Sequence, residues 1–232
     1  MKVWKRSLPV WLLTLVMLLT ACGTPSQPDQ PDGTETWREA YEETGAYLQA
    51  QTAPTAGSIG GEWAVIGLSR AGLLSDETAQ SYEQTVEDYV KQAGSVRLHH
   101  AKSTENSRTI LGLTAAGYNA ANVAGVDLTA GLTDMAYLRA QGTNGPIWAL
   151  IALDCHGYDI PQCADGEEQT TREGLVAEIL SYQCSDGGWA LMGDESDVDM
   201  TAMALTSLAP YQEETDVKAA VDAALTYLSD AQ

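Results

Sequence analysis

The segment "ILGLTAAG", Ile110–Gly117, is the stretch of the sequence that decides the fold. It is apolar on all sides if it is helical, it is rich in small residues, and it ends in a glycine, which is typical of a helix C-terminus. A helix with apolar side chains on every face has to be buried. The segment therefore predicts a buried helix that stops at Gly117.

Three other segments, "VIGLSRAG", "LIALDCHG" and "MALTSLAP", repeat this pattern. The residues that correspond to Gly117 are Gly72, Gly157 and Ala209, so the successive spacings are 45, 40 and 52 residues. Such a period indicates a helical repeat architecture. The predicted inner helices, all beginning at the same end of the molecule, lie near 61–71, 106–116, 145–155 and 199–209.

A more amphipathic helix is predicted before each inner helix, and a fifth follows the last one. Each has apolar residues on one face and acidic residues on the other. These predicted outer helices cover 37–51, 76–92, 133–141, 171–183 and 217–232. Strand-like alternation is not sustained anywhere, so the predicted fold class is all-α, with the pairs stacked either into an open solenoid or into a closed toroid.

The N-terminus has the pattern of an export signal. Lys2, Lys5 and Arg6 precede the apolar run "LPVWLLTLVMLL", which is too short for an ordinary membrane span and is soon followed by small residues. The next residues, "LTAC", resemble the lipobox of bacterial lipoproteins, and this resemblance implies cleavage before Cys22 and lipidation of Cys22. We therefore expect a signal peptide at 1–21 and a protein anchored by lipid to the cell membrane, on its extracytoplasmic face.

The mature chain is expected to be a strongly acidic domain on a tether. Residues 22–36 are rich in Pro, Asp and Gln and predict a disordered tether before a folded domain at 37–232. Removal of three basic residues with the signal leaves 9 Lys and Arg against 32 Asp and Glu, a net charge of −23. This charge repels phosphates. We therefore expect no nucleic-acid partner and no membrane contact beyond the lipid anchor.

Three further cysteines leave two alternatives open. Cys155 and Cys163 bracket a short loop with Gly and Pro, and export permits disulfides, so a local bridge between them is one interpretation, with Cys184 left over. The other is that all three are free thiols, which commonly pack as small hydrophobic groups.

The turn "QCSDGGW", Gln183–Trp189, is similar to the QW repeat of squalene cyclases, Q-x-x-D-G-x-W. With the repeat phase, it makes residues 37–232 resemble the α/α toroid family of squalene cyclases and protein prenyltransferases, and most of all its secreted bacterial repeat proteins. The resemblance implies a toroid, here of about four and a half helix pairs because the fifth outer helix has no inner partner. Such an unfinished flank is expected to favour self-association or completion by another chain.

The motif "DVDM", Asp197–Met200, is similar to the D-x-D-D motif of class II terpene cyclases. That resemblance matches Asp197 to the first aspartate and Asp199 to the proton donor, but Met200 replaces the third aspartate. The chain also has no phenylalanine to line a carbocation pocket. We therefore expect no catalytic residue, keep cyclase chemistry through Asp199 as the alternative, and favour capping of the next helix by Asp197 or Asp199.

The leading prediction for function is binding of a small ligand or a surface partner. We expect the site at the rim where the inner helices begin, because polar and aromatic residues collect there, although core packing is an alternative for each tryptophan. No cofactor and no metal is expected, since Asp154, Cys155 and His156 are consecutive and point in different directions. The expected ligand-binding residues are Trp63, Arg108, Asn144, Trp148, Asp186, Trp189, Asp197 and Asp199.

Overall fold

The computed structural model describes residues 33–50 and 53–231. Within these ranges the secondary structure is helical, with isolated β-bridges but no strand, which confirms the all-α prediction. Two short 3₁₀ helices, Leu128–Leu132 and Ala209–Tyr211, accompany the α-helices. The α-helices are α1 (Gly33–Ala50), α2 (Ile59–Arg70), α3 (Asp76–Ala93), α4 (Ser103–Ala115), α5 (Met135–Arg139), α6 (Asn144–Asp154), α7 (Arg172–Ser181), α8 (Val198–Leu208) and α9 (Thr215–Asp230).

The chain divides into two units, one ending at Thr44 and one beginning at Gly45. The boundary falls inside α1, so the first unit has only the earlier part of this helix among the described residues. There the rings of Trp37 and Tyr41 meet edge to face, with centroids 6.4 Å apart, and both side chains are exposed. All other described helices belong to the second unit.

Helix α1 begins earlier than predicted. It starts at Gly33, inside the segment 22–36 that was predicted to be a disordered tether. The last proline before it is Pro31, so no imino acid interrupts the helix after that point. The predicted signal peptide and Cys22 lie outside the described residues.

Helices α2, α4, α6 and α8 form a row in which each packs against the next. We call them the inner helices, and their bounds agree with the four predicted inner helices to within three residues. Helix α6 is the most apolar, since its sequence "NGPIWALIALD" includes only two strongly polar residues. It therefore has the buried, central position in this row that its composition predicts, with seven buried residues.

The first two inner helices run in the same direction. Near their C-terminal ends, the Ser69 hydroxyl donates to the carbonyl oxygen of Ala115 at 2.6 Å. Nearer their N-terminal ends, Nε of Arg108 donates to Oε2 of Glu62 at 3.1 Å. Both pairs are separated by 46 residues, so equivalent positions of consecutive repeats lie side by side.

The outer helix α3 has a single buried apolar stripe. In α3 the buried residues recur at intervals of three or four, which places them on one face. Helices α5 and α7 pack against α6, and α9 packs against α8. The buried residues of α3 are Ala79, Tyr82, Val86 and Val90.

Helix α5 is shorter than the predicted span 133–141. Asp134 is its N-cap and accepts from the Ala136 N–H at 3.1 Å, which fixes the first turn. The chain then turns through Gly142, whose φ of 60° is left-handed, before α6 begins. The turn chemistry on both sides thus outweighs the helical pattern of the flanking residues.

No helix of residues 33–50 or 53–231 is both long enough and apolar enough to cross a membrane.

Candidate ligand-binding groove

A groove of about 700 Å³ runs between the inner helices, and all four of them contribute to its wall. The wall of the groove is mainly apolar. The volume of the groove lies in the range of about 300–1,000 Å³ that is usual for small-molecule sites. It extends from the middle of the inner helices to their C-terminal ends. The lining residues are Trp63, Ile66, Ser69, Arg70, Leu111, Thr114, Ala115, Trp148, Ile151, Cys155, Met203 and Thr206.

The same position of each repeat supplies the floor of the groove. It is the residue six places before the glycine or alanine at the end of the repeated segment. Side chains at this position are only partly buried, although they stand on otherwise buried helices. These four residues are Ile66, Leu111, Ile151 and Met203.

Two tryptophans from α2 and α6 meet in the groove. The rings of Trp63 and Trp148 lie edge to face, with centroids 5.4 Å apart and an interplanar angle of 63°. Trp63 is 41% exposed, so much of its ring faces solvent instead of the core. Both occupy the ninth place before the terminal glycine of their repeats. The structure thus brings together two of the predicted ligand-binding residues.

Arg108 occupies the same repeat position in α4, but its side chain forms ion pairs outside the groove. Its guanidinium donates to Glu62 at 3.1 Å and to Glu105 at 2.7 Å, and the side chain is only 12% exposed. Glu62 is fully buried and also accepts from the Gly57 N–H at 2.7 Å. Burial raises the pKa of Glu62, although the Gly57 N–H and the charge of Arg108 favour its ionised form. Arg108 therefore neutralises a buried carboxylate and does not line the groove.

Two buried polar atoms near the inner helices have no hydrogen-bond partner among the described residues. The Tyr82 hydroxyl is buried with no hydrogen-bond partner among the described residues, and burial followed by the charge of Glu62 raises the pKa of Tyr82. Oδ1 of Asn144, at the start of α6, is likewise buried without a partner in that part of the chain. Asn144 does not line the groove.

The predicted site residues of the turn before α8 have structural roles. Trp189 is completely buried, and its indole N–H donates to the Ile179 carbonyl oxygen at 2.7 Å. Asp186 accepts from the Ser196 hydroxyl and from the Gly188 N–H, and these hydrogen bonds lower the pKa of Asp186. Trp189 and Asp186 thus stabilise the turn, and neither lines the groove, so ligand binding by these two residues stays a prediction.

Asp197 is the N-cap of α8. Its Oδ1 accepts from the Met200 N–H at 2.8 Å, so the capping interpretation is correct for this residue. Asp199 lies exposed in the first turn of α8 and makes no cap hydrogen bond in the described chain. Neither carboxylate lines the groove, since the wall of the groove lies farther along the inner helices than the predicted rim.

The Cys155–Cys163 disulfide predicted as one alternative is not formed, and all three cysteines of the described residues are free thiols. Cys155 is the C-cap of α6 and lines the groove, and its thiol donates to the Ala152 carbonyl oxygen at 3.2 Å. Cys163 is held in the following loop, where its N–H donates to Oε1 of Gln169 at 2.8 Å. No group of three or more metal-ligating side chains occurs in the described part of the chain.

Arg70 stands at the C-terminal end of the groove as an exposed cation. Among the described residues it has no ion pair and no side-chain hydrogen bond. Most other cations of this part of the chain are paired with carboxylates. Those paired cations are Lys91, Arg97, Arg108, Arg139, Arg172 and Lys218.

Comparisons with family models, with curated proteins and with solved structures find no match to this chain. The resemblance to the toroid family therefore stays a prediction. The groove residues six places before the end of each repeated segment were not predicted, because aliphatic side chains on a buried helix are ordinarily assigned to the core. Their common spacing from the end of each repeat is the signal that identifies them.

Proposed function

We propose that this protein is a lipoprotein held by lipid at Cys22 on the extracytoplasmic face of the cell membrane, and that its helical domain binds a small, largely apolar ligand. The observation that carries the binding proposal is the groove between the inner helices. Its floor is apolar in all four repeats, and it holds a half-exposed tryptophan against a second one. Solvent-exposed apolar surface of this kind is usual at binding sites.

We also propose that the helix pairs belong to an α/α toroid. Two observations support this proposal. Inner and outer helices alternate along the chain, and α2 and α4 run in the same direction. In such an arrangement the concave side is lined by inner helices alone. The groove has that composition, since none of its lining residues comes from an outer helix.

A small ligand has more support than a protein partner because the apolar residues lie in a concave space between helices. A cyclase has less support, since Asp199, the matched proton donor, is exposed at the start of α8 and outside the groove. A proton donor must reach the alkene within hydrogen-bonding distance in a dry pocket.

A neutral dye that fluoresces in apolar surroundings, N-phenyl-1-naphthylamine, tests the groove. The mature chain from residue 22, made without lipid, should bind it with saturable enhancement of emission. Ile151→Asp places a carboxylate in the wall and should weaken binding by about tenfold or more, because the charge would lose water when the dye enters. The control is Leu225→Asp, an exposed position of α9 outside the groove.

Circular dichroism establishes that both variants keep their helices. The proposal requires that only Ile151→Asp weakens binding. Equal affinities of the two variants for the dye would place the binding site elsewhere and exclude the groove.

A further inference from the structure

We infer that the natural ligand of the groove is an amphiphile with one carboxylate, which pairs with Arg70 while its apolar chain lies over the floor of the groove. The inference rests on the proposed function and adds the chemical class of the ligand. Its basis is the position of one unpaired cation at one end of a mainly apolar wall.

Arg70 lies in the last turn of α2, seven residues after Trp63. At 1.5 Å per residue, about 10 Å of helix separates them. Ile66 and the floor residues of the neighbouring helices fill this interval. A ligand aligned with α2 would therefore meet aromatic rings at one end, aliphatic side chains in the middle and a guanidinium at the other end.

The three hydroxyl groups of the wall already have partners. The Ser69 hydroxyl donates to the Ala115 carbonyl oxygen at 2.6 Å. The Thr114 hydroxyl lies 2.8 Å from both the Ile110 carbonyl oxygen and the Tyr158 hydroxyl. The Thr206 hydroxyl donates to the Ala202 carbonyl oxygen at 2.9 Å. Besides the indole N–H groups of Trp63 and Trp148, the guanidinium of Arg70 is thus the lining group with free donors. Because it is the charged one, it selects an acceptor that carries negative charge.

Electrostatics favour a single negative charge over a phosphate. The C-terminal ends of α2, α4 and α6 lie at this end of the groove, and helix C-termini carry partial negative charge. The chain as a whole has a net charge of −20. One guanidinium offsets one carboxylate, whereas a dianionic head group would keep an unpaired charge in a negative field.

Displacement of the neutral dye by decanoate, decanol and decyl phosphate tests the inference on the mature chain. We expect decanoate to displace the dye at about tenfold lower concentration than decanol, since a charge-assisted hydrogen bond adds that much affinity. Decyl phosphate should be weaker than decanoate. Arg70→Gln should remove the preference for decanoate and leave decanol unchanged.

The matched control is Lys102→Gln, which removes a second cation that has no ion pair in the described chain and does not line the groove. It should leave every affinity unchanged. If Arg70→Gln and Lys102→Gln lost affinity for decanoate to the same extent, the net charge of the protein alone would explain the preference. That result would overturn the inference. The inference would also be overturned if decyl phosphate displaced the dye at a lower concentration than decanoate does. The same holds if decanoate did not displace the dye below the concentration at which it aggregates.

One outcome separates this inference from the proposed function. If decanol and decanoate compete equally and Arg70→Gln changes nothing, while Ile151→Asp still abolishes dye binding, the groove is a binding site but the carboxylate assignment is wrong. If Ile151→Asp has no effect, the proposed function fails as well.

Discussion

At the scale of single residues, two neighbouring aspartates at the start of α8 differ in what they do. Asp197 satisfies the Met200 N–H, whereas Asp199 is exposed to solvent two residues later, in the first turn of the helix. A capping side chain contributes because the first N–H groups of a helix have no partner within it.

We predict that Asp197→Ala lowers the free energy of unfolding by about 1 kcal/mol, whereas Asp197→Asn lowers it much less. Asp199→Ala is the matched control and should change stability by no more than about 0.5 kcal/mol, since it removes only a charge near the helix N-terminus. Urea denaturation of the three variants measures this. A larger loss for Asp199→Ala than for Asp197→Ala would contradict the assignment of the cap.

The buried Glu62 makes stability depend on pH. Its pKa in the folded protein is raised above the ordinary value of 4.5, so the folded state keeps a proton that the unfolded state has already lost. The contribution of Glu62 to stability is therefore greatest below the unfolded pKa, and it falls as the pH rises through the folded pKa.

We predict that wild type loses stability relative to Glu62→Gln as the pH rises above 4.5 and through the raised folded pKa of Glu62, because the variant has no proton to lose at this site. The difference in free energy of unfolding between the two proteins at each pH measures the effect and cancels the other titrating groups. A difference that is independent of pH would mean that Glu62 titrates as an exposed carboxyl group does.

At the scale of helices, α5 and α6 approach closely at Gly145. A Cβ atom there would overlap the carbonyl oxygen of Leu138, a backbone atom that cannot move aside alone. Gly67 in α2 offers the opposite case, since a Cβ there would meet nothing within 4 Å.

We predict that Gly145→Ala destabilises the protein by about 1–3 kcal/mol through this overlap. Gly67→Ala, by contrast, should stabilise it by up to about 1 kcal/mol, because alanine is the better helix former. Thermal unfolding of both variants gives the comparison. If Gly145→Ala were as stable as Gly67→Ala, the contact between α5 and α6 would be looser than described.

The helices also show how much of the fold can be predicted from the sequence. The inner helices were placed to within three residues because each is apolar throughout and ends in a distinct residue, as at Gly72 and Gly117. The ends of α5 were missed, since the Asp134 cap and the left-handed Gly142 act locally against a helical pattern.

The site was predicted less well than the fold. Trp63 and Trp148 were named, but so was Trp189, which the same reasoning could not distinguish from them. Whether a tryptophan side chain is buried depends on which helices pack against it. Tertiary packing determines this, and the local sequence pattern does not. Arg70 was not named, because an exposed arginine in a last helical turn is ordinary until the groove beside it is known.

At the scale of the whole molecule, the proposed lipid anchor at Cys22 would determine where the protein is located. We predict that Cys22→Ser releases the protein from the membrane fraction or leaves it unprocessed, since the lipid is the proposed attachment. Membrane fractionation and the mass of the N-terminal peptide measure both effects. A substitution of Cys155, which is a free thiol far along the chain, is the control and should leave the attachment unchanged. Normal cleavage and unaltered membrane attachment in Cys22→Ser would exclude lipidation at this residue.

The contact between Trp63 and Trp148 also has an optical consequence. Indole rings whose centroids are 5.4 Å apart couple their electronic transitions, and the coupling produces paired circular-dichroism bands of opposite sign that neither ring shows alone. A guest that reorients either ring would change the size of this couplet. The groove therefore contains an intrinsic chromophore pair, through which its occupancy can be followed spectroscopically without any label.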